Sequence, residues 1–240
     1  FIHHKEEKFI MKLKKIASLM LAGVMAVSML AGCNTASNDG NPGEGEGEGT
    51  TTAGYSAMLG EAVSDAVKDL DYVTFQDNAE DAAALRKALN NIGENSLAII
   101  AGVATPSSSS NWTNPDCGVM RQVFADELGL RDSDLDVGDM SLANPVNNPD
   151  DLNRGMKEGV IFGVDGTVDL SEAMDQIAAQ LNIYFDDLPE TGSAGNGHVS
   201  FDYDYVVSVS VVNKAVSTIN WSSASANFIA VTVTRTVTAD

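Results

Sequence analysis

Two hydrophobic periods divide the chain. In several stretches between residues 55 and 181 apolar side chains recur every three or four positions, and from residue 201 they alternate by two. Tyr55, Leu59, Ala62, Ala66 and Leu70 form one stripe and predict a helix across 55–70. A second helix is expected where Asn78 and Asp81 are spaced to cap its start reciprocally, Ala82, Leu85 and Leu89 form its stripe, and Gly93 suits its end. Residues 96–103 form a short apolar run that reads as a buried strand, and 105–116, with four consecutive serines and two prolines, as a loop. A third helix is expected from Cys117 to Leu128 with Gly129 closing it, then a loop rich in Asp, Asn and Pro to residue 153. A strand across 160–164 precedes a fourth helix, capped by Asp169 and Glu172 and striped by Ala173, Ile177 and Leu181.

In the C-terminal third, Phe201, Tyr203, Tyr205, Val207, Val209 and Val211 alternate with Asp202, Asp204, Ser208 and Ser210. Ile229, Val231, Val233 and Val237 alternate with Thr232, Thr234, Thr236 and Thr238. Alternation by two describes strands with one buried and one wet face. With 216–221 as a middle strand, the expectation is a single α+β domain in which N-terminal helices pack on a C-terminal antiparallel sheet.

The N-terminal end has a different logic. Met11 starts a compact export signal, with Lys12, Lys14 and Lys15 ahead of an apolar core from Ile16 to Leu30 that is shorter than the roughly 20 residues a spanning helix needs. Residues 1–10 are expected to lie upstream of the true start. The core ends in Leu30-Ala31-Gly32-Cys33, which resembles the lipobox of bacterial lipoproteins at every position. That resemblance implies a diacylglycerol on the Cys33 sulfur, palmitate-type acylation, loss of residues 11–32, and an anchor on the extracytoplasmic membrane face, where two or more acyl chains hold stably. Residues 33–53, with the run Gly43-Glu44-Gly45-Glu46-Gly47-Glu48-Gly49, have almost nothing apolar to bury and read as a flexible tether. The folded cargo is then 54–240.

Removing residues 1–32 takes away five of 14 basic and two of 34 acidic residues, leaving a formal charge of −23. Such a surface repels phosphate backbones and anionic head groups, which excludes nucleic acid as an expected partner and leaves a protein or polysaccharide ligand. With Cys33 acylated, Cys117 is the remaining thiol, so no disulfide framework is expected and the fold rests on its core. No cofactor motif is present.

Four stretches bear on chemistry. Leu188-Pro189-Glu190-Thr191-Gly192 matches the sortase pentapeptide, but glycine-rich turn and amphipathic strands follow it instead of an apolar span and basic tail, so it reads as a turn. Asp165-Gly166-Thr167-Val168-Asp169-Leu170-Ser171-Glu172 resembles the second half of an EF-hand, yet Ile161 and Gly163 stand where that loop needs carboxylates. Asp132, Asp134 and Asp136 are weak calcium candidates in a solvated acidic loop. Finally, Cys117 at a helix start and His198 at the opening of the sheet resemble the papain-like arrangement of cell-wall endopeptidases and transglutaminase-like domains, in which the imidazole deprotonates the thiol. The serine of the Asp-Cys-Ser-Gly pattern is missing, and Cys117 shares a stripe with Met120 and Phe124. The expected role is therefore binding or structural at the cell surface, and a cysteine hydrolase or transferase acting on cell-wall or protein substrates is the alternative.

Overall fold

The computed structural model describes residues 54–90, 92–93, 102–107, 115–130, 135, 142, 156–194, 199–217 and 223–239. The signal, Cys33, the tether, most of the expected 96–103 strand, Asp132, Asp134, Asp136, His198 and residues 218–222 lie outside them. In chain order the elements are α1 (Tyr55–Ala62), α2 (Asp65–Lys68), β1 (Val73–Phe75), α3 (Ala79–Asn90), β2 (Thr105–Pro106), α4 (Pro115–Leu128), β3 (Lys157–Asp165), α5 (Leu170–Asp186), β4 (Thr191–Ala194), β5 (Val199–Ser217) and β6 (Ser223–Ala239).

The fold is α+β, with helices N-terminal to the long C-terminal strands, and its sheet is mixed. Strand order is β1-β5-β6-β3-β2, with β4 also paired to β5. β5 and β6 pair antiparallel from Phe201↔Ala239 to Ser217↔Ser223, and β3 pairs antiparallel with β6 from Lys157↔Thr234 to Asp165↔Ala226. Among the described strands β1 alone runs parallel to its neighbour, Val73 opposite Tyr205. That pairing departs from the expected antiparallel sheet: β1 is three residues long, too short for alternation to announce it.

Helices cover both faces. On the first, Leu59 of α1, Val67 of α2 and Ala173, Ile177, Leu181 and Phe185 of α5 pack on Val160, Phe162 and Val164 of β3, Tyr203 to Val209 of β5, and Ile229 to Val233 of β6. On the second, Ala84, Leu85, Ala88 and Leu89 of α3 and Met120 and Phe124 of α4 pack on Ile161, Val216, Phe228 and Ala230. At about 1.5–3 kcal/mol for each large side chain taken out of water, these two layers are the main stabilising term.

Local chemistry explains where the elements differ from expectation. The predicted 55–70 helix is broken, because Ser64 adopts an extended conformation and its hydroxyl accepts from Val67 N–H, starting α2 anew. The break is held from outside, since Ser64 N–H donates to Asn182 Oδ1 of α5 at 3.0 Å. Asn78 caps α3 as expected, its Oδ1 accepting from Glu80 N–H at 2.8 Å and Asp81 N–H at 3.4 Å, but the Asp81 carboxylate turns into the core instead of back to Asn78. Thr105–Pro106, expected as loop, pairs with Gly163 and Phe162 of β3. Of the expected middle strand over 216–221, residues 216 and 217 belong to β5 and the rest lie outside the described residues. α4 ends as expected at Gly129, whose φ of +67° lets Leu130 N–H reach back to Ala125 O at 2.8 Å.

Candidate functional site

The alternating polar residues of β5 and β6 meet two different environments. Along the second face α3 covers Ser208, Ser210 and Thr232, all buried, so this part of the expected wet face is interior. Beyond the helix the same face is open. Register places Ser193 beside Ser200, Thr191 beside Asp202 and Thr238, and Asp204 beside Thr236, and all seven side chains are exposed. These residues form a three-strand platform with side chains about 4.8 Å apart across strands and about 6.7 Å apart along them. Hydroxyls donate and accept and the two aspartates accept, so the platform suits a hydroxyl-rich or cationic ligand lying across the strands.

Its underside is rigid because a polar network replaces ordinary core there. Tyr203 is buried beneath the Arg235 guanidinium, 4.7 Å from the ring centroid. Arg235 Nη1 donates to Leu142 O at 3.0 Å, and Glu158 Oε1 accepts from Leu142 N–H at 2.9 Å and from the Tyr184 hydroxyl at 2.5 Å. The Tyr205 hydroxyl donates to Pro189 O at 3.0 Å, and the Tyr72 hydroxyl to Leu188 O at 2.9 Å. Together these bonds pin the segment that carries β4, so Leu188-Pro189-Glu190-Thr191-Gly192 is built into the sheet edge. Two of its carbonyls are held by tyrosines, and Gly192 lies so close to Tyr203 that a Cβ there would stand 1.9 Å from the phenol oxygen.

The tyrosines carry the electrostatic signature of this network. Burial first, then the adjacent Glu158 carboxylate, raises the Tyr184 hydroxyl far above its ordinary value. Burial pushes Tyr205 up to about 12 against the opposing effect of Arg235. Tyr72 is raised by burial and then by Glu190, Asp186 and Asp71. A phenol raised in the folded state contributes stability that is present below about pH 10 and is lost as pH rises through its folded value. The domain is therefore expected to lose stability between about pH 10 and about pH 12, with tyrosinate absorbance lagging in the folded protein and appearing as far-ultraviolet ellipticity collapses. Tyrosinate from Tyr205 forming near pH 10 in a still-folded domain would contradict this.

The second face holds another buried polar group. Asp81 pairs with Lys157 Nζ and accepts from Thr232 Oγ1 at 2.5 Å, tying α3 to β3 and β6. Close by on the same face, the buried hydroxyls of Ser208 and Ser210 have no hydrogen-bond partner. An unsatisfied buried hydroxyl costs about 1–3 kcal/mol, so Ser210→Ala is expected to leave stability unchanged or raise it by about 1 kcal/mol in chemical denaturation.

The remaining candidates are placed as follows. Cys117 is a buried thiol, 6% exposed, on the α4 face that also buries Met120 and Phe124. Iodoacetamide is accordingly expected to label it only on unfolding, a contrast readable by mass spectrometry with and without denaturant. Its expected partner His198 lies outside the described residues, as do Asp132, Asp134 and Asp136. In the EF-hand-like stretch, Asp165 Oδ1 accepts from Thr167 N–H at 2.8 Å and Oγ1 at 2.6 Å, and Asp169 Oδ1 accepts from Ser171 N–H and Oγ at 2.8 and 2.6 Å. Those bonds hold both carboxyls below the usual range. The carboxylates thus make a turn and a helix cap, and Ile161 and Gly163 lie in the paired interior of β3. Among the described residues no three His, Cys, Asp or Glu side chains are grouped to hold a metal ion, and no helix is long and apolar enough to cross a membrane.

Glu158 and Arg235 are the residues that hydrophobic pattern missed. Both occupy inward positions, Arg235 in phase with Val231, Val233 and Val237, and a charge at an inward strand position is the available signal. No known protein family, curated protein or solved structure matches the chain.

Proposed function

We propose that this chain is a lipid-anchored domain on the extracytoplasmic face of a bacterial membrane, held off the bilayer by residues 33–53, with a binding or structural role exercised through the platform on β4, β5 and β6. The observation that carries the anchor is Leu30-Ala31-Gly32-Cys33 closing a basic-then-apolar signal and opening a glycine-glutamate tether. The platform supports a binding role because seven hydrogen-bonding side chains share one open, rigidly backed surface and no large apolar side chain stands among them. A protein or a polysaccharide is the partner this chemistry fits; a strongly acidic surface disfavours nucleic acid.

The anchor is tested by metabolic labelling with radioactive palmitate in a bacterial host. Label in the wild type and none in Cys33→Ser, with the variant leaving the membrane fraction, is the expected result; equal labelling would remove the anchor. For the platform, wild type and the double variant Asp202→Ala/Asp204→Ala are sedimented with insoluble cell-wall polysaccharide. Retention of the wild type alone supports that ligand class, and equal behaviour of both moves the role to a protein partner or a structural one.

A further inference from the structure

Asp81 and Lys157 are 76 residues apart in sequence and meet on the second face, where Asp81 is 1% and the Lys157 side chain 16% exposed. An ammonium and a carboxylate removed from water lose hydration that their mutual attraction repays only with good geometry. Here the carboxylate oxygens have separate tasks. Oδ1 touches Lys157 Nζ, and Oδ2 accepts from the Thr232 hydroxyl. Ser208, opposite Thr232 in the β5–β6 ladder and on the same face, adds a second buried hydroxyl with no partner of its own.

We propose that Lys157 and Asp81 condense to an intramolecular amide, a covalent tie between α3 and β3. The atoms balance within the pair. A proton passes from Nζ to Oδ1, leaving a neutral amine and a neutral acid, and the amine lone pair attacks Cγ. Charge gathers on Oδ2, where the Thr232 O–H is already directed, as an oxyanion donor must be. A second proton follows from nitrogen to Oδ1, and Oδ1 leaves as water. Of the three ammonium protons two depart with that water and one remains as the amide N–H; Oδ2 becomes the amide carbonyl and keeps the Thr232 bond. No oxidant, metal or external acid is required, and a buried carboxylate and a partly buried ammonium are replaced by one hydrogen-bonded amide. With Cys117 as the remaining thiol of the exported chain, this tie would supply the cross-link that no disulfide provides.

The test is a tryptic digest of the full-length protein, denatured and read by mass spectrometry. Condensation blocks cleavage at Lys157 and joins the peptide 69–86 to the peptide 155–214, lighter by one water than their sum; this branched species is the expected result. Lys157→Arg and Asp81→Ala abolish it and release the separate peptides. Recovery of unmodified 69–86 and 155–157 as the only products from the wild type overturns the proposal, whatever the variants do. Thr232→Val separates chemistry from packing. Time-resolved digestion after refolding is expected to show the branched peptide forming on the order of 10² times more slowly, while Cys117 stays protected from iodoacetamide. An unchanged rate in that folded variant would overturn the role given to Thr232.

Discussion

Replacing Glu158 with alanine is expected to cost the domain about 3–5 kcal/mol, the largest loss from any single side chain outside the apolar core. Glu158 is buried, and its Oε1 accepts from both Tyr184 and the Leu142 peptide. Its removal strands a tyrosine hydroxyl and an N–H away from water and takes the nearby negative charge from the buried Arg235 guanidinium, which with Glu158 acts on Tyr184. Against a total stability of about 5–15 kcal/mol, a loss of that size lowers the melting temperature by roughly 10 °C and brings much of the population near unfolding. Glu158→Gln keeps an oxygen acceptor and should lose distinctly less. Urea midpoints for the two variants measure the difference, and a loss under about 1 kcal/mol in Glu158→Ala would show that the network is dispensable.

Gly159→Val is expected to cost about 3 kcal/mol, at the upper end for overpacking, because the obstacle is main chain. A Cβ at Gly159 would stand 2.6 Å from Val231 O and 3.2 Å from Thr232 Cα on the central strand, and neither atom belongs to a side chain that can rotate away. β3 would have to lift from β6, sacrificing ladder bonds and the seat of Lys157 beneath α3. The contrast is Gly118→Ala at an exposed position of α4, where nothing lies within 4 Å of the new methyl, and where helix propensity alone should add about 0.5–1 kcal/mol. Denaturant unfolding of both variants, with opposite signs, checks the pair together. Equal effects would mean that β3 and β6 are not seated as closely as Val231 O and Gly159 imply.

Much of the architecture was legible because periodicity reports one buried face directly. The stripes on α3 and α5 and the alternation from Phe201 to Val209 and from Ile229 to Val233 name residues that are mostly interior in the structure, with Ala82, Val211 and Val237 partly buried. What periodicity could not carry was the second layer. Ser208, Ser210 and Thr232 read as solvent-facing by type, yet the small residues of α3, Ala84 and Ala88, pack on that face and bury them. A polar residue announces exposure only until another element covers it, and that depends on partners distant in sequence. The platform was half legible for the same reason: Asp202, Asp204, Thr236 and Thr238 are open, while their strand neighbours a few residues on are not. Of the residues proposed for chemistry, Cys117 lies in the apolar stripe it shares with Met120 and Phe124. Glu158, Arg235 and Lys157 passed unnoticed, since nothing local distinguishes a charge that folds inward from one that does not.

The position of β6 has a consequence for how such a protein reaches its place. β6 lies between β5 and β3 and follows both in the chain, so neither of these has its main bonding partner until residues 223–239 are present. Until then the chain carries two facing unpaired ladders and cannot close its sheet, which makes the nascent polypeptide slow to collapse into a finished globule. For the exported, lipid-anchored protein proposed above, which would thread a narrow channel unfolded, that delay is useful: the sheet stays open until residues 223–239 have been delivered.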